Sequence, residues 1–157
     1  MKKINYCTAL FGVILLLSSF KNSVPVPEIA KGNPEKKVRQ INFIENSWDL
    51  ALKKAKAENK YIFVDAYAVW CGPCKLLKAT TFKNHEVADL FNKNFVNLSL
   101  DMEKGEGIKL AEKWGIEAYP TLLVLDSNGK VITGNVGYVT AKELLVFAQK
   151  VLKARKI

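Results

Sequence analysis

The sequence predicts an α/β domain in which a mixed β-sheet lies between helices. Two patterns lead to this fold class. Segments with apolar residues at helical spacing alternate with short, continuous apolar segments that are typical of buried strands. An Asn-Gly dipeptide joins the last two strand segments, and this pair favours the tight turn that matches the twist of antiparallel strands. The predicted order is helix, strand, helix, strand, helix, strand, strand, helix.

Each element has its own start and stop pattern. A polar residue that can cap a helix precedes three of the helical segments. The predicted helices are 47–59 from Ser47, a segment that begins at Cys74, 85–92 after Asn84, 107–114, and 140–153 from Thr140. The predicted strands are 61–67, 95–100, 121–125 and 131–133, the last two joined by the turn Ser127-Asn128-Gly129.

Length and composition suit one domain behind a short leader. The chain has 157 residues, of which 49% are hydrophobic, enough for an ordinary buried core. Pro25, Pro27, Gly32 and Pro34 interrupt regular structure ahead of the domain. We therefore divide the chain into a signal peptide or N-terminal anchor at 1–23, a linker at 24–40 and an α/β domain at 41–157.

The first residues have the pattern of an export signal. Lys2 and Lys3 form a positive start, and the stretch 7–20 is uncharged and mostly apolar. This stretch is shorter than the roughly 20 apolar residues of a comfortable transmembrane helix, which favours a cleaved signal. The best match to a cleavage site, at Leu17 and Ser19, is poor, so a retained anchor stays open. The sequence predicts an exported, periplasmic protein.

The net charge of +9 is not gathered into one basic face. Residues 1–40 carry seven Lys and Arg against two Glu, and the remaining surplus is spread along the predicted helices. A protein that reads nucleic acid usually shows a clustered basic face or a known motif. We predict no nucleic-acid partner and interpret the lysines of the domain as solvated side chains on helix exteriors.

Cysteine spacing indicates chemistry. Once the leader with Cys7 is set aside, two cysteines remain, Cys71 and Cys74. Thiols three residues apart cannot tie distant loops together, which excludes a disulfide framework. The alternative, half of a zinc site, would need two further ligands, and His85 is the only histidine. We interpret His85 as a surface or capping residue and predict no metal and no cofactor.

The position of Cys71 makes it the expected nucleophile. It lies where the strand 61–67 gives way to a helix, and the free N–H groups and dipole of a helix start favour a thiolate. We expect Cys71 to be exposed at this tip and Cys74 to lie one turn on, within its reach. Cys71 would attack a substrate disulfide, and Cys74 would then displace the substrate. Pro73 fits the first turn, where its missing N–H costs nothing.

The segment Trp70-Cys71-Gly72-Pro73-Cys74-Lys75 resembles the active-site signature of the thioredoxin family. Further matches follow in the family's order: Val64-Asp65 upstream, Ala118-Tyr119-Pro120-Thr121 downstream, and Val136-Gly137 before the last helix. The resemblance covers roughly residues 45–155 and implies a thioredoxin-like fold. The chain is more similar still to an exported branch, which includes the C-terminal domain of the membrane disulfide reductant carrier and its free-standing relatives. This similarity rests on Trp48, Ala55-Lys56, Thr81-Phe82, Val87 and Tyr119-Pro120-Thr121.

The resemblance also implies roles for individual residues. Asp65 matches the family's buried carboxylate beneath the second cysteine, where desolvation would raise its pKa and let it take the proton of Cys74. A strand aspartate that is satisfied by a backbone group is the alternative. Pro120 matches the family's cis-proline, beside which the backbone pairs with an extended substrate chain. The implied catalytic residues are Cys71, Cys74 and Asp65, and those expected to meet the substrate are Trp70, Gly72, Pro73, Tyr119 and Pro120.

Three positions depart from the family's pattern. Asn97 stands where thioredoxins often carry a buried lysine near the aspartate, so that position supplies no lysine for proton transfer. Tyr119 precedes Pro120 where cytosolic members favour a smaller aliphatic residue, and this difference bears on the choice of partner. The loop 101–107 is longer than in a minimal thioredoxin.

The predicted function is reduction of protein disulfides outside the cytoplasm. We expect a monomer that takes disulfide-containing proteins as substrates and a membrane thiol as electron donor. A disulfide oxidase or isomerase is the first alternative, and a redox-linked metallochaperone or cytochrome assembly factor is the second. Gly72 and Pro73 place no cation between the cysteines, which favours a reductant. The intact cysteine pair argues against a redox-silent scaffold.

Overall fold

The computed structural model describes residues 39–155, which form five strands and five α-helices. The strands are β1 (Phe43–Glu45), β2 (Tyr61–Tyr67), β3 (Phe95–Asp101), β4 (Thr121–Leu125) and β5 (Val131–Val136). The helices are α1 (Trp48–Glu58), α2 (Gly72–Ala79), α3 (His85–Asn94), α4 (Glu106–Trp114) and α5 (Ala141–Arg155). A short 3₁₀ helix, Thr81–Lys83, lies between α2 and α3.

The strands form one mixed sheet in the order β1-β3-β2-β4-β5. The first three strands run parallel, whereas β4 pairs antiparallel with β2 and β5 pairs antiparallel with β4. β2 is therefore central, and its residues are buried except at the two ends. The cysteine motif, which follows β2 directly, therefore starts from a strand that is paired on both sides.

Alternation along β2 divides the core into two layers. Ile62, Val64 and Ala66 pack with residues of α1 and α4 on one face of the sheet. Phe63 packs on the other face with residues of α2, α3 and α5. Because successive side chains of a strand point to opposite faces, Asp65 lies on the same face as Phe63, the face that α2 covers.

The predicted fold class is confirmed, and several elements have the predicted bounds. β2 and β4 match the prediction residue for residue. Asn84 caps α3 as predicted, since its side chain accepts hydrogen bonds from the backbone N–H groups of Glu86 and Val87. Ser47 stands at the N-cap of α1 without a side-chain capping hydrogen bond.

Several element ends differ from the prediction by one to three residues, and one strand was not predicted. The helix expected to begin at Cys74 begins at Gly72, because Pro73 is compatible with the first helical turn. The strand expected at 131–133 continues to Val136 along its pairing with β4. β1 was not predicted: three residues carry too short a pattern, and the strand forms by pairing with β3.

The predicted signal peptide or anchor at 1–23 lies outside the described residues, as does the linker at 24–40 apart from Arg39 and Gln40. Between residues 39 and 155, no helix combines the length and the apolar character needed to cross a membrane.

Candidate active site

The cysteine motif lies at the junction of β2 and α2. The chain leaves β2 at Tyr67, turns through Ala68, and reaches Cys71, whose backbone N–H donates a hydrogen bond to the carbonyl of Ala68. Cys71 is the N-cap of α2, with extended backbone angles. This turn places the motif beyond the carboxyl end of the central strand β2, and the N-terminus of α2 points at the first cysteine.

Cys71 and Cys74 form a disulfide, with Cα atoms 5.3 Å apart. The Sγ of Cys71 also accepts a hydrogen bond from the backbone N–H of Cys74 at 3.1 Å. A free N–H group at a helix start stabilises negative charge on the atom that it faces. The same contact would therefore stabilise a Cys71 thiolate once the disulfide is reduced.

The expected exposure of Cys71 is wrong for this disulfide form. Cys71 and Cys74 are each only 2% exposed, and they form a small apolar cluster with Ala68, against which Tyr67 and Tyr119 pack. The two residues thus do not differ in burial. What distinguishes Cys71 is its place at the N-cap and the hydrogen bond from Cys74, whereas Cys74 lies within the helix.

Asp65 is fully buried on β2, six residues before Cys71. Its carboxylate has two unlike oxygens. Oδ2 accepts a hydrogen bond from the hydroxyl of Ser99 at 3.0 Å and lies 3.8 Å from the ammonium of Lys78. Among the described residues, Oδ1 has no hydrogen-bond partner. The carboxylate is anchored by one oxygen and leaves the other available to accept a proton.

Burial raises the pKa of Asp65 from its ordinary value of 3.8 to about 6, although the charge of Lys78 and the hydroxyl of Ser99 both oppose this rise. A carboxyl group with such a pKa changes protonation close to neutral pH, which suits it to accept and release protons there. The alternative that a backbone group satisfies Asp65 does not hold in the described structure, where its partners are the side chains of Ser99 and Lys78.

Lys78 is a site residue that the sequence analysis did not identify. We interpreted the lysines as solvated, but the Lys78 side chain is only 37% exposed, and its ammonium lies 3.5 Å from the centre of the Tyr67 ring. It follows Cys74 by four residues, so both project from one face of α2. The i, i+4 spacing from Cys74 is the signal that could have found it.

Asn97 does not reach the buried aspartate. Its side-chain amide donates hydrogen bonds to the carbonyl of Asn42 and to the side chain of Asn92. In the parallel register, Ser99 is the residue of β3 that faces Asp65. β3 thus supplies no cation to Asp65, and the ammonium near its carboxylate comes from α2.

The Tyr119–Pro120 peptide bond is cis, as the resemblance implied. Pro120 is buried and directly precedes β4, whose first residue, Thr121, pairs with Ala66 near the end of β2. Because β4 runs antiparallel to β2, the backbone of 119–120 lies at the end of the sheet where β2 finishes and the cysteine motif begins. Tyr119 packs against the cysteine cluster.

Trp70 lies on the surface beside the motif, with 66% of the residue exposed. Its indole N–H donates to the carboxylate of Glu103, with N–O distances of 2.9 and 3.0 Å, and its ring meets the Tyr119 ring edge-on at 5.9 Å. The loop that follows β3 thereby fixes the aromatic side chain next to Cys71.

The remaining residues singled out in the sequence lie as follows. Gly72 and Pro73 form the exposed start of α2 between the cysteines, and His85 is an exposed residue at the start of α3.

A cysteine pair at the start of a helix, with a buried carboxylate against the same helix, is the site of a thiol–disulfide oxidoreductase on a thioredoxin-like fold. The chain belongs to the family of thioredoxin-like domains, whose sequence profile matches residues 48–152. It is a thioredoxin-like disulfide oxidoreductase.

The relatives agree with this assignment. Thioredoxin H2 of Arabidopsis thaliana is 34% identical over 110 residues, which cover 69% of this chain and 77% of that protein. The thiol:disulfide interchange protein DsbD of Pseudoalteromonas atlantica is 29% identical over 126 residues, or 77% of this chain and 21% of that protein. The chain thus spans about a fifth of the length of the DsbD proteins it matches.

Solved structures show the same fold. A candidate disulphide-isomerase from Bacteroides thetaiotaomicron is 51% identical, with a TM-score of 0.63 over 70% of this chain and 91% of that one. A thioredoxin from Thermus thermophilus superposes with a TM-score of 0.64 over 71% of this chain and 88% of that one, at 20% identity. The second likeness concerns the fold alone.

Proposed function

We propose that the protein reduces disulfides of other proteins outside the cytoplasm, with Cys71 as the attacking cysteine. The observation that carries this proposal is the N-cap position of Cys71, whose sulfur accepts the backbone N–H of Cys74. Thiolates, and not thiols, attack disulfides, and a helix start with a donated N–H favours the thiolate.

The proposed reaction has two steps. The Cys71 thiolate attacks one sulfur of a substrate disulfide, so that a mixed disulfide forms and the other substrate sulfur leaves as a thiolate, which takes a proton from solvent. Cys74 then loses its proton and attacks the Cys71 sulfur, which closes the Cys71–Cys74 disulfide and releases the second substrate thiolate. Two electrons pass from the cysteine pair to the substrate.

Asp65 is the proposed acceptor of the Cys74 proton. Cys74 is buried in α2, so bulk water has little direct access to its thiol proton. Asp65 lies against the same face of α2, as its contact with Lys78 indicates, and its Oδ1 has no partner among residues 39–155. A carboxylate with a pKa near neutrality can take this proton and later return it to solvent.

The backbone beside Pro120 is the proposed docking strand for the substrate. It lies at the end of the sheet that carries the cysteine motif. The rings of Trp70 and Tyr119 are in T-shaped contact next to it. An extended substrate segment can add to exposed backbone through main-chain hydrogen bonds, while the aromatic rings contact its side chains. Gly72 adds no bulk to this surface.

We further propose that the protein is exported, works as a monomer, and is recharged by a membrane-borne thiol donor. The charged and apolar pattern of the first twenty residues supports export. The similarity to DsbD proteins, named as thiol:disulfide interchange proteins, supports a place in a thiol exchange chain. A reductant in an oxidising compartment needs such a donor, because its disulfide form accumulates with each turnover.

Two cysteine variants test the proposal. Cys71→Ser is expected to abolish insulin-disulfide reduction, whereas Cys74→Ser is expected to retain the first attack and accumulate mixed disulfides that mass spectrometry detects. The matched control is Cys7→Ser, which removes a thiol of the predicted leader. If alkylation near neutral pH labels Cys74 faster than Cys71 in the reduced protein, the assignment of the nucleophile is wrong.

A disulfide isomerase is the second candidate. The similarity to the candidate disulphide-isomerase from Bacteroides thetaiotaomicron, at 51% identity, favours it. Both candidates use the same cysteine pair, and they differ in the reduction potential that the pair must have.

A further inference from the structure

The ammonium of Lys78 lies close to two groups, the buried carboxylate of Asp65 and the ring of Tyr67. It lies 3.8 Å from Oδ2 of Asp65 and 3.5 Å from the centre of the Tyr67 ring. A cation over an aromatic face is attracted by the ring and is partly shielded from water. Lys78 is thus unlike an ordinary surface lysine, because two groups fix its ammonium in one place.

Lys78 also stands between the carboxylate and solvent. Asp65 has no exposed surface, whereas the Lys78 side chain is 37% exposed. Lys78 lines an open cleft of about 640 Å³ between α2 and the chain around β1, together with Asn42, Phe43, Glu45 and Phe82. The side chain therefore bridges the buried acid and a water-accessible space.

The other groups around Asp65 bring no second cation. From β3, Ser99 donates its hydroxyl, and from β4 the register partner is the apolar Leu122. Glu45 of β1 carries a like charge that raises the pKa of Asp65. Tyr67 of β2 is itself held neutral, because burial raises its pKa. Lys78 is the cation that acts on Asp65 within the described part of the chain.

We propose that Lys78 is a positioning residue for the thiol–disulfide reaction, the counter-ion that keeps the buried Asp65 carboxylate ionised and connects it to solvent through the cleft beside α2. This inference rests on the proposed role of Asp65 as proton acceptor. Lys78 touches neither sulfur. It acts through Asp65, which must be ionised when Cys74 gives up its proton and must return that proton to water afterwards.

The geometry predicts how the charge of Lys78 affects the reaction. An opposite charge within about 4 to 6 Å lowers the pKa of a carboxyl group. Without Lys78, Asp65 would stay protonated to higher pH and could not accept the Cys74 proton there. The loss of rate should therefore be confined to the lower part of the pH range, where the variant has lost the carboxylate and the unaltered protein has not.

Three variants of the full chain separate this effect from a structural one. Lys78→Met removes the charge and keeps an unbranched side chain, and Lys78→Arg keeps the charge. Lys83→Met is the matched control, because Lys83 lines the same cleft and, within residues 39–155, pairs with no carboxylate. Thermal unfolding of each variant checks that the fold is intact.

Two measurements are made on each variant. Carbon NMR of the Asp65 carboxyl group in the disulfide form gives its titration midpoint. Each reduced variant is mixed in a stopped-flow instrument with an excess of a disulfide whose two thiols give distinct signals, and the delay of the second thiol behind the first gives the rate of the second step from pH 5.5 to 8.5. In Lys78→Met, the midpoint is expected to rise by roughly 1 from about 6. That rise predicts a second step about fivefold slower at pH 6 and nearly equal at pH 8.5.

Each outcome decides one point. A raised midpoint in Lys78→Met, with Lys78→Arg and Lys83→Met close to the unaltered protein, supports the inference. An unmoved midpoint overturns it, whatever the rates. A raised midpoint with equal rates at every pH supports the pairing of Lys78 with Asp65 and instead overturns the proposed function of Asp65 as proton acceptor.

Discussion

The carboxyl group of Asp65 loses its hydration when the chain folds, and this loss costs free energy whenever the group is charged. Its pKa in the folded state, about 6, is above the ordinary value of 3.8. Between these two values the folded state holds more protons at this site than the unfolded state does. Stability therefore falls as the pH rises through this window, by about 3 kcal/mol at about 1.4 kcal/mol per pH unit.

Asp65→Asn is expected to stabilise the disulfide form at pH 7 by up to about 3 kcal/mol, because asparagine needs no charge at this buried position. At pH 4 the gain should nearly vanish, since Asp65 is then protonated in the folded state. Urea unfolding at both pH values measures the difference. Asp89→Asn is the control, because Asp89 forms a surface ion pair with Arg39 that contributes little. A gain of equal size at pH 4 and pH 7 would contradict this account.

Site residues could be predicted from the sequence where a motif fixes them, and not where the fold brings them together. Cys71, Cys74 and Pro120 have neighbours in the chain that identify them. The contacts of Lys78 and Ser99 with Asp65 depend on how α2 lies on the sheet and on the register of β3 with β2. No local sequence pattern determines the position of α2 on the sheet or the register of β3. The contacts of Lys78 and Ser99 with Asp65 could therefore not be predicted from the sequence.

The same distinction holds for whole elements. β4 is five consecutive apolar or β-branched residues and could be assigned from its own composition. β1 has three residues, and its strand conformation results from its pairing with β3. For the loop after β3, the sequence reveals only its length. Its function as the support of Trp70, through Glu103, requires a contact across 33 residues of chain.

The close packing of α4 against the end of β3 fixes this loop. Gly107, in the first turn of α4, is buried, and a Cβ atom there would lie 2.0 Å from the carbonyl oxygen of Asp101. The neighbouring atoms are backbone, which cannot rotate away as a side chain can. The start of α4 thus approaches the end of β3 more closely than any residue other than glycine permits.

Gly107→Ala is expected to destabilise the fold by about 2 kcal/mol, because the helix must move away from Asp101. The movement should also displace Glu103 and shift the indole N–H resonance of Trp70 in NMR spectra. Lys109→Ala is the control within the same helix, since Lys109 is exposed. An unchanged Trp70 resonance in a destabilised Gly107→Ala protein would separate the loop from the packing of α4.

At the scale of the whole molecule, the positive charge and apolar stretch of residues 1–20 predict export. A reporter enzyme that is active only outside the cytoplasm, fused after Gly32, is expected to be active. A fusion in which Lys2 and Lys3 are both replaced by Glu serves as the comparison and should lose activity. Activity confined to a cytoplasmic reporter would remove the proposal that this protein reduces disulfides in the periplasm.

The direction of electron flow depends on how strongly the molecule stabilises the Cys71 thiolate. A strongly oxidising cysteine pair has an unusually stable reduced form. Here the Cys71 sulfur accepts the backbone N–H of Cys74 at the start of α2, and the two residues between the cysteines are uncharged. Lys75 is exposed to water, which weakens its effect, and the nearby Lys78 is paired with the opposite charge of Asp65. Stabilisation is therefore modest, which favours a reductant.

We expect a reduction potential close to about −270 mV, within the reducing part of the range for such pairs, when the protein is equilibrated with glutathione or a reference thioredoxin.

The variant Gly72→His tests whether weak stabilisation of the Cys71 thiolate is the reason for this low potential. Gly72 is exposed and a Cβ atom there meets nothing within 4 Å, so a side chain can begin at this position without a backbone clash, and the partial positive charge of histidine would stabilise the Cys71 thiolate. The potential should rise by about 30 mV for each 1.4 kcal/mol of added stabilisation of the dithiol form. Gly72→Ala, which adds bulk without charge, should leave it nearly unchanged. A potential of the unaltered protein between about −120 and −180 mV, where oxidases and isomerases lie, would instead assign the isomerase function.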